Sequence, residues 1–435
     1  MINSYKCKFF KIFFVFALFL LLTSNKMIAQ TSTDLYVKSS PDTVSKCPIV
    51  SIPQLFKETF MKNDTTVKIK SKQERDKFFL LIPVIGASPA TGFMYGAIAQ
   101  YTFKGPATTD KYSSIGVSLT YTTEQQLLFS VKNNIFLKNN SIFLSSDYRI
   151  YKFSQSNYGL GTNIIPPRYE GEFDISTIAE PMEYDYFRFY QTASWEVKDN
   201  FYVGGGIAID WYNKINDENL DVAAGDLTYH YNYSTQYGFD PTEYYVNGVS
   251  LNLLYDSRDN QVNANHGWYG NINYRINPSL NGNQKPSSVL YAEGRYFIPL
   301  SKTNLQHVLA FWAYGQFLVS GIQPYLNLPA IGWDQRSRSG VGYVQGLFRG
   351  YNIMYFETQY RFPITCNQLI SGTVGANFTS TSNTDTDIRL LQYIQPAVSV
   401  GLRFLIDKPT RTNIILNQAW GRDSKGFYLN AGETF

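Results

Sequence analysis

The chain is short of charge, of histidine and of cysteine, and each shortage excludes something. Charged residues make up 17% of its 435 residues, and the formal net charge is only +4. So small a balance leaves no basic footprint for nucleic acid, and no such partner is expected. The three histidines, His230, His266 and His307, have no ligand spacing, so no metal site is expected. Of the three cysteines, Cys7 precedes the apolar stretch Ile12 to Leu22 and is not a lipoprotein cysteine. Cys47 and Cys366 could pair in an oxidising compartment. Two isolated cysteines are more often unpaired; that is the expectation here, with pairing left open. Beyond Leu22 no apolar run approaches the roughly 18 residues of a membrane helix, and the mean hydropathy of -0.23 excludes a helical membrane protein. No G-x-S-x-G nucleophile elbow occurs, and "GVGYVQG" precedes no helical pattern, so it is no dinucleotide loop. No Ser/His or paired-acid constellation stands out. Neither an enzyme nor a cofactor is expected.

What the chain does have is aromatic residues, with 34 Tyr and 31 Phe. High aromatic content, low charge and near-neutral hydropathy suit a transmembrane β-barrel, in which every second residue faces lipid. The N-terminus carries Lys6, Lys8 and Lys11, then Ile12 to Leu22, then "TSNKMIAQ". This charged region, short apolar run and small residue read as a signal peptide over 1–29, cleaved after Ala29. Residues 30–77 are polar and read as a periplasmic lead-in, with one short helix at "SIPQLFKETF".

From residue 78 to 435 the pattern alternates with period two between turn signals. Counting such segments predicts about sixteen strands: near 78–88, 92–104, 111–121, 124–137, 140–153, 183–196, 199–213 and 244–257 in the first half. The second half gives 266–276, 286–299, 305–319, 351–363, 367–380, 391–406, 412–421 and 426–435. The three longest connections, roughly 154–182, 214–243 and 320–350, all follow odd-numbered strands and therefore share one end of the barrel. A soluble β-sandwich or propeller would not need aromatics at so many outward positions. The alternation puts Asp210, Arg275, Glu293, Arg295, Glu357, Arg361 and Arg403 on inward positions, lining a polar lumen. Pro83 cannot donate to a ladder and belongs at an edge, which marks the seam between the first and last strands as weak. Phe427, Leu429, Ala431 and Phe435 share a face of the final strand, read as closing strand and delivery signal together.

Four stretches carry a resemblance: "FRGY" at Phe348–Tyr351, "QYRFPI" at Gln359–Ile364, "YDSRDNQVNANHGWY" at Tyr255–Tyr269, and "WGRDSKGFYLNAGETF" at the end. Together they resemble the BamA/TamA family, the bacterial surface antigen superfamily, in family order across the whole barrel. The resemblance implies that the FRGY tip lies on a sixth outer loop folded back into the lumen. There Arg349 contacts wall acids, Gly350 permits a tight turn, and Phe348 and Tyr351 pack beside it. The sequence departs from the family where those acids stand: Gln359, Gly375 and Asn417 are neutral. Glu357, on the same inner face as Gln359, is then the expected partner of Arg349. The lead-in is too short for the family's periplasmic POTRA repeats. The resemblance implies insertion or translocation of polypeptide or lipid at the bacterial outer membrane. Outer-membrane lipids, client polypeptides or a separate periplasmic protein would be the partners. The alternative is a loop-plugged pore or a surface-exposed binding protein.

Overall fold

The computed structural model describes residue 47, residues 49–60, 77–88 and 92–435, apart from 108, 124, 167–172, 281–283, 303, 305, 336 and 434. The signal peptide and most of the lead-in lie outside the described residues. Ile49–Phe435 forms one compact unit, and in the unit Met1–Pro48 only Cys47 is described. Cys47 and Cys366 are both disulfide-bonded, which overturns the expectation that they are unpaired. Two cysteines this far apart carry no spacing signature, so only the fold could decide the matter.

The short helix α1 (Ile52–Phe60) forms at the expected stretch. Just before it Ile49 is buried, and the Val50 N–H donates to the Asn367 carbonyl at 3.0 Å. The compact unit thus begins ahead of the boundary expected at residue 78.

Sixteen strands follow among the described residues. The first eight are β1 (Lys77–Ser88), β2 (Gly92–Phe103), β3 (Ser113–Thr122), β4 (Leu127–Leu137), β5 (Ile142–Asn157), β6 (Glu180–Lys198), β7 (Phe201–Asp217) and β8 (Tyr244–Asp256). The rest are β9 (Gly267–Asn277), β10 (Ser287–Pro299), β11 (Val308–Gly321), β12 (Asn352–Pro363), β13 (Ile370–Thr381), β14 (Gln395–Asp407), β15 (Thr412–Gly421) and β16 (Ser424–Ala431). A second helix, α2 (Tyr229–Tyr237), lies between β7 and β8. Each strand pairs antiparallel with its chain neighbours in one sheet ordered β1 to β16. Among the described residues no ladder joins β1 to β16. The two ends of the sheet nevertheless come round to one place, since residues of β2, β3, β4 and β16 line a common cavity.

Local chemistry explains the turns. The tight connection after β6 has Asn200 at φ 62°, and the one after β15 has Asp423 at φ 52°, conformations that Asn and Asp tolerate. The long connections, 158–179, 218–243, 322–351 and 382–394, follow β5, β7, β11 and β13, so all four share one end. The last of these was not expected to be long.

The pleat sorts the side chains. Along β12, Ile353, Tyr355, Glu357, Gln359 and Arg361 are all buried while their neighbours are half-exposed. Along β14, Val398, Val400 and Leu402 are exposed while Ser399 and Arg403 are buried. Around the outside stand Trp195, Val203, Ile207, Trp211, Val249, Leu251 and Trp420, all exposed. Water does not tolerate a continuous apolar belt of this kind, and hydrocarbon does. The fold is a transmembrane antiparallel β-barrel.

The last strand ends early. Phe427 and Leu429 face outward, but β16 stops at Ala431, and Gly432 at φ 73° turns the chain away. Phe435 is 3% exposed and packs on Phe297 and Trp312, so it does not share the outer face of Phe427. The two-residue period was carried three residues past the glycine that breaks it.

Leu251, mid-way along β8, is 67% exposed. Leu251→Arg should destabilise the barrel in lipid vesicles by about 2–4 kcal/mol, the cost of a cation near the midplane. Denaturant unfolding measures this, and an unchanged midpoint would contradict the outward assignment.

Candidate functional site

The inner face of the sheet is polar, and a polar face enclosed by protein must satisfy its groups internally. The simplest solution is a carboxylate two residues before an arginine, since such residues share a face of a strand. Asp147 accepts from Arg149 at 2.6 Å, Asp256 from Arg258 at 2.9 Å, and Glu293 from the Arg295 Nε at 2.6 Å. A wider network joins three strands. Asp210 on β7, fully buried, accepts from Arg188 of β6 at 3.1 Å, Arg275 of β9 at 2.9 Å and the Tyr186 hydroxyl at 2.7 Å. Arg188 also reaches Asp147, at 3.3 Å.

The connection 322–351 packs against these inner side chains. Arg149 donates to the Asp334 carbonyl at 3.1 Å, the Tyr314 hydroxyl meets Ser339 at 3.0 Å, and the Asn377 amide donates to the Val341 carbonyl at 2.9 Å. Phe348 is fully buried, edge-on to Tyr343 at 4.9 Å. The Tyr351 hydroxyl bonds Tyr237 of α2 at 3.0 Å and Asp385 at 2.9 Å, tying three long connections together.

Arg349 does not meet Glu357. Its guanidinium donates to the carbonyls of Tyr325, Leu326 and Leu328 at 3.2, 2.9 and 3.2 Å, and lies over the Tyr325 ring at 5.2 Å. The 3-10 turn Tyr325–Asn327 leaves carbonyls facing one point, a natural seat for a cation. Glu357 is held on its own strand by the Tyr355 hydroxyl at 2.5 Å and the Gln359 amide at 2.6 Å. Gly350 has no positive φ, so a tight turn is not its role. A Cβ there would stand 2.2 Å from the Ser382 carbonyl oxygen; the glycine allows two backbones to touch.

The other end of the lumen is also occupied. Between β8 and β9 the "DSRDNQVNANHG" stretch turns inward, and Arg258, Asn260, Gln261, Val262, Ala264 and Asn265 are buried. Its Asp259 pairs with Arg411 at 2.6 Å, and the Asn260 amide donates to the Thr410 carbonyl at 3.3 Å, both partners lying between β14 and β15. Above this floor Glu433 sits between Arg403, at 3.3 Å, and Arg361, at 3.8 Å. Sequence reading placed Arg361 and Arg403 but missed Glu433, because the strand expected over 426–435 put it in phase with the outward Phe427 and Leu429.

Two further features went unseen in the sequence. Asp217, His230 and Ser234 form a relay, with contacts of 2.9 Å to one ring nitrogen and 3.3 Å to the other. Ser234 is fully buried, and its helix is capped by Thr228, which also bonds Asp217 at 2.9 Å. The relay therefore pins α2. The second feature is a cavity of about 200 Å³ under the 322–351 connection, walled by Tyr190, Arg188, Asn273, Tyr291 and Trp333 among others.

No family model matches the chain, and no curated protein does. Solved structures do. CdiB from Escherichia coli is similar at 9% identity and a TM-score of 0.50, over 82% of this chain and 62% of that one. BamA from Haemophilus ducreyi lacking POTRA domains 1-3 is similar at 12% identity and 0.48, over 82% and 69%. CdiB from Acinetobacter baumannii is similar at 15% and 0.47, over 82% and 60%. The chain thus spans about 60–69% of the length of these proteins. What the Escherichia coli CdiB structure shares with this chain is the fold, and the sheet of this chain has sixteen strands among its described residues.

Arg349→Ala removes charge-assisted hydrogen bonds worth about 1.5–3 kcal/mol each, so protease cleavage within 322–351 should rise at least about tenfold. Glu357→Gln should leave cleavage unchanged, and the double variant should match Arg349→Ala alone. A loosened loop in Glu357→Gln would show that the two residues are coupled after all.

Proposed function

We propose that this protein works in the bacterial outer membrane, assisting insertion or translocation of polypeptide or lipid through the edge between β1 and β16. The observation that carries this reading is the seam itself, two strands with no ladder between them among the described residues. Pro83, on β1, supports it, because proline has no N–H to offer a neighbour and belongs on edge strands. A free edge can pair with an incoming strand. Export would follow cleavage after Ala29, and the partners would be outer-membrane lipids, client polypeptides or a separate periplasmic protein. The reading involves no catalytic step, and the full burial of Ser234 fits that.

The second reading is a loop-plugged pore, favoured by the cavity beneath the 322–351 connection. Against it stand the inward-turned stretch between β8 and β9 and the Glu433 cluster, which fill the lumen from the opposite end.

The two readings separate in one preparation. The purified protein in lipid vesicles should speed the folding of a urea-unfolded small barrel protein. Cysteine pairs cross-linking Phe78–Ile82 of β1 to Gly426–Asn430 of β16 should abolish that acceleration, and reduction should restore it. Acceleration that survives the cross-link would remove the seam from the mechanism. Steady ion conductance without acceleration would favour the pore.

A further inference from the structure

We infer that the cavity beneath the 322–351 connection is a binding site for one neutral sugar ring of hexose size. The inference stands apart from the proposed role of the β1–β16 edge and needs neither a seam nor a pore.

The cavity has two unlike walls. On the barrel side β6, β8 and β9 contribute Thr192, Ser194, Asn252, Asn271 and Asn273. The pleat builds this polar wall. Asn252 stands opposite Asn273 in the β8–β9 ladder, and Asn271, two residues from Asn273, shares its face. On the loop side the lining is largely apolar, with Leu326, Leu328, Pro329, Ala330 and Trp333. A polar wall facing an apolar cover suits a molecule with hydroxyls along its edge and C–H groups on its face. A sugar ring has that division, and water offers only the polar half of it.

Several groups at the cavity have hydrogen-bonding capacity to spare. Asn273 donates to Asn252, which in turn donates to Ser250 at 3.1 Å. Asn271 and the hydroxyls of Tyr269 and Tyr291 line the same space and make no side-chain hydrogen bond among the described residues. From the loop side Gln323 lines it too; this residue is 2% exposed, and its Oε1 has no hydrogen-bond partner. Enclosed amides and phenols left open are costly. A ligand with several hydroxyls, each donor and acceptor at once, answers them together.

Charge narrows the class. Arg188 is held by Asp147 at 3.3 Å and Asp210 at 3.1 Å, and Arg275 by Asp210 at 2.9 Å. Glu293 accepts from the Arg295 Nε at 2.6 Å, and Asp334 accepts from the Ser339 hydroxyl at 2.6 Å. Among the described lining residues no guanidinium is left over for a phosphate or carboxylate, and no carboxylate for an amine. The ligand is therefore neutral. The volume, about 200 Å³, is the space of roughly seven waters, which admits one ring and not a chain of them. Gln323 to Gln335 cover the cavity, so a bound ring adds contacts to the connection and holds it down.

The test uses the full chain in phosphatidylcholine vesicles, free of sugar-based detergent, with D-glucose, D-galactose and D-mannose as probes. At about ten times its Kd, at least one of them should slow protease cleavage within 322–351 about tenfold. D-Glucosamine and glucose 6-phosphate, whose charges the cavity cannot answer, should give no protection, and neither should maltotriose. Asn271→Leu replaces an open amide by an apolar side chain. It should abolish the protection and leave cleavage without sugar unchanged. Tyr291→Phe keeps the ring, which stacks on Tyr314 at 5.8 Å, and removes one hydroxyl. It should raise the half-protecting sugar concentration about three- to tenfold, and it keeps the test decisive if heat-modifiable migration shows Asn271→Leu to be unfolded. No protection by any of the three hexoses would leave the cavity to water and overturn the inference. Equal protection by the charged sugars or by maltotriose would overturn it as well, and so would protection that both variants retain. None of these readouts involves client folding or the seam cross-link, so the proposed function can fail while the sugar site stands, and the reverse.

Discussion

A charge that cannot face hydrocarbon has to be answered inside the barrel, and the supply of carboxylates there decides how. Buried ion pairs are costly to assemble and costlier to break, so each arginine fixes whatever group answers it. Arg149 and Arg295 are answered on their own strands, and Arg258, just past β8, by the last residue of that strand. Arg188 and Arg275 share Asp210, which locks β6, β7 and β9 into one register. Arg349 is answered by carbonyls of its own connection, and Arg361 and Arg403 by a residue beyond the last strand. The interior is thus a sequence of progressively less local solutions to one shortage.

That progression marks what the sequence made legible. Strand count, the common end of the long connections and the inward placement of Asp210, Arg275, Glu293, Arg295, Glu357, Arg361 and Arg403 follow from a two-residue period under strong selection by hydrocarbon. All seven are enclosed in the structure, with Asp210 fully buried. The acid-x-arginine spacing of "DYR", "DSR" and "EGR" was also there to be read, because residues two apart on a strand are neighbours in space. What could not be read was any partner chosen by a loop. Arg349 and Glu357 are eight positions apart, and local reasoning paired them. The carbonyls that seat Arg349 come from a 3-10 turn, Tyr325–Asn327, and from Leu328 just after it, which no periodicity announces. Glu433 was lost for the opposite reason, a period extended through Gly432, where a positive φ ends it. The disulfide-bonded state of Cys47 and Cys366 likewise depends on the folded chain and not on spacing.

The outer ends of the strands are held differently. Around Tyr351 a cluster of aromatic rings and hydroxyls joins α2, the 322–351 connection and Asp385, with Tyr233 and Tyr325 packed at 5.6 Å. Tyrosine suits this position because its ring packs and its hydroxyl can end in water or on a carboxylate. His230 sits in the same cluster, 5.7 Å from Tyr325, so its relay with Asp217 and Ser234 serves as a strut between a helix and a strand end.

The sheet pairs each strand only with its chain neighbours, whereas its filling does not. Arg338 and Glu433 meet across 95 positions, Asn260 and Thr410 across 150, and Thr162 and Tyr393 across 231. Closing such loops costs entropy that hairpins do not incur. The wall can therefore grow hairpin by hairpin during biogenesis, while the interior is furnished only after the circumference exists. An early intermediate of this protein is then a hollow sheet with unanswered arginines, more hydrated and more permeable than the finished barrel.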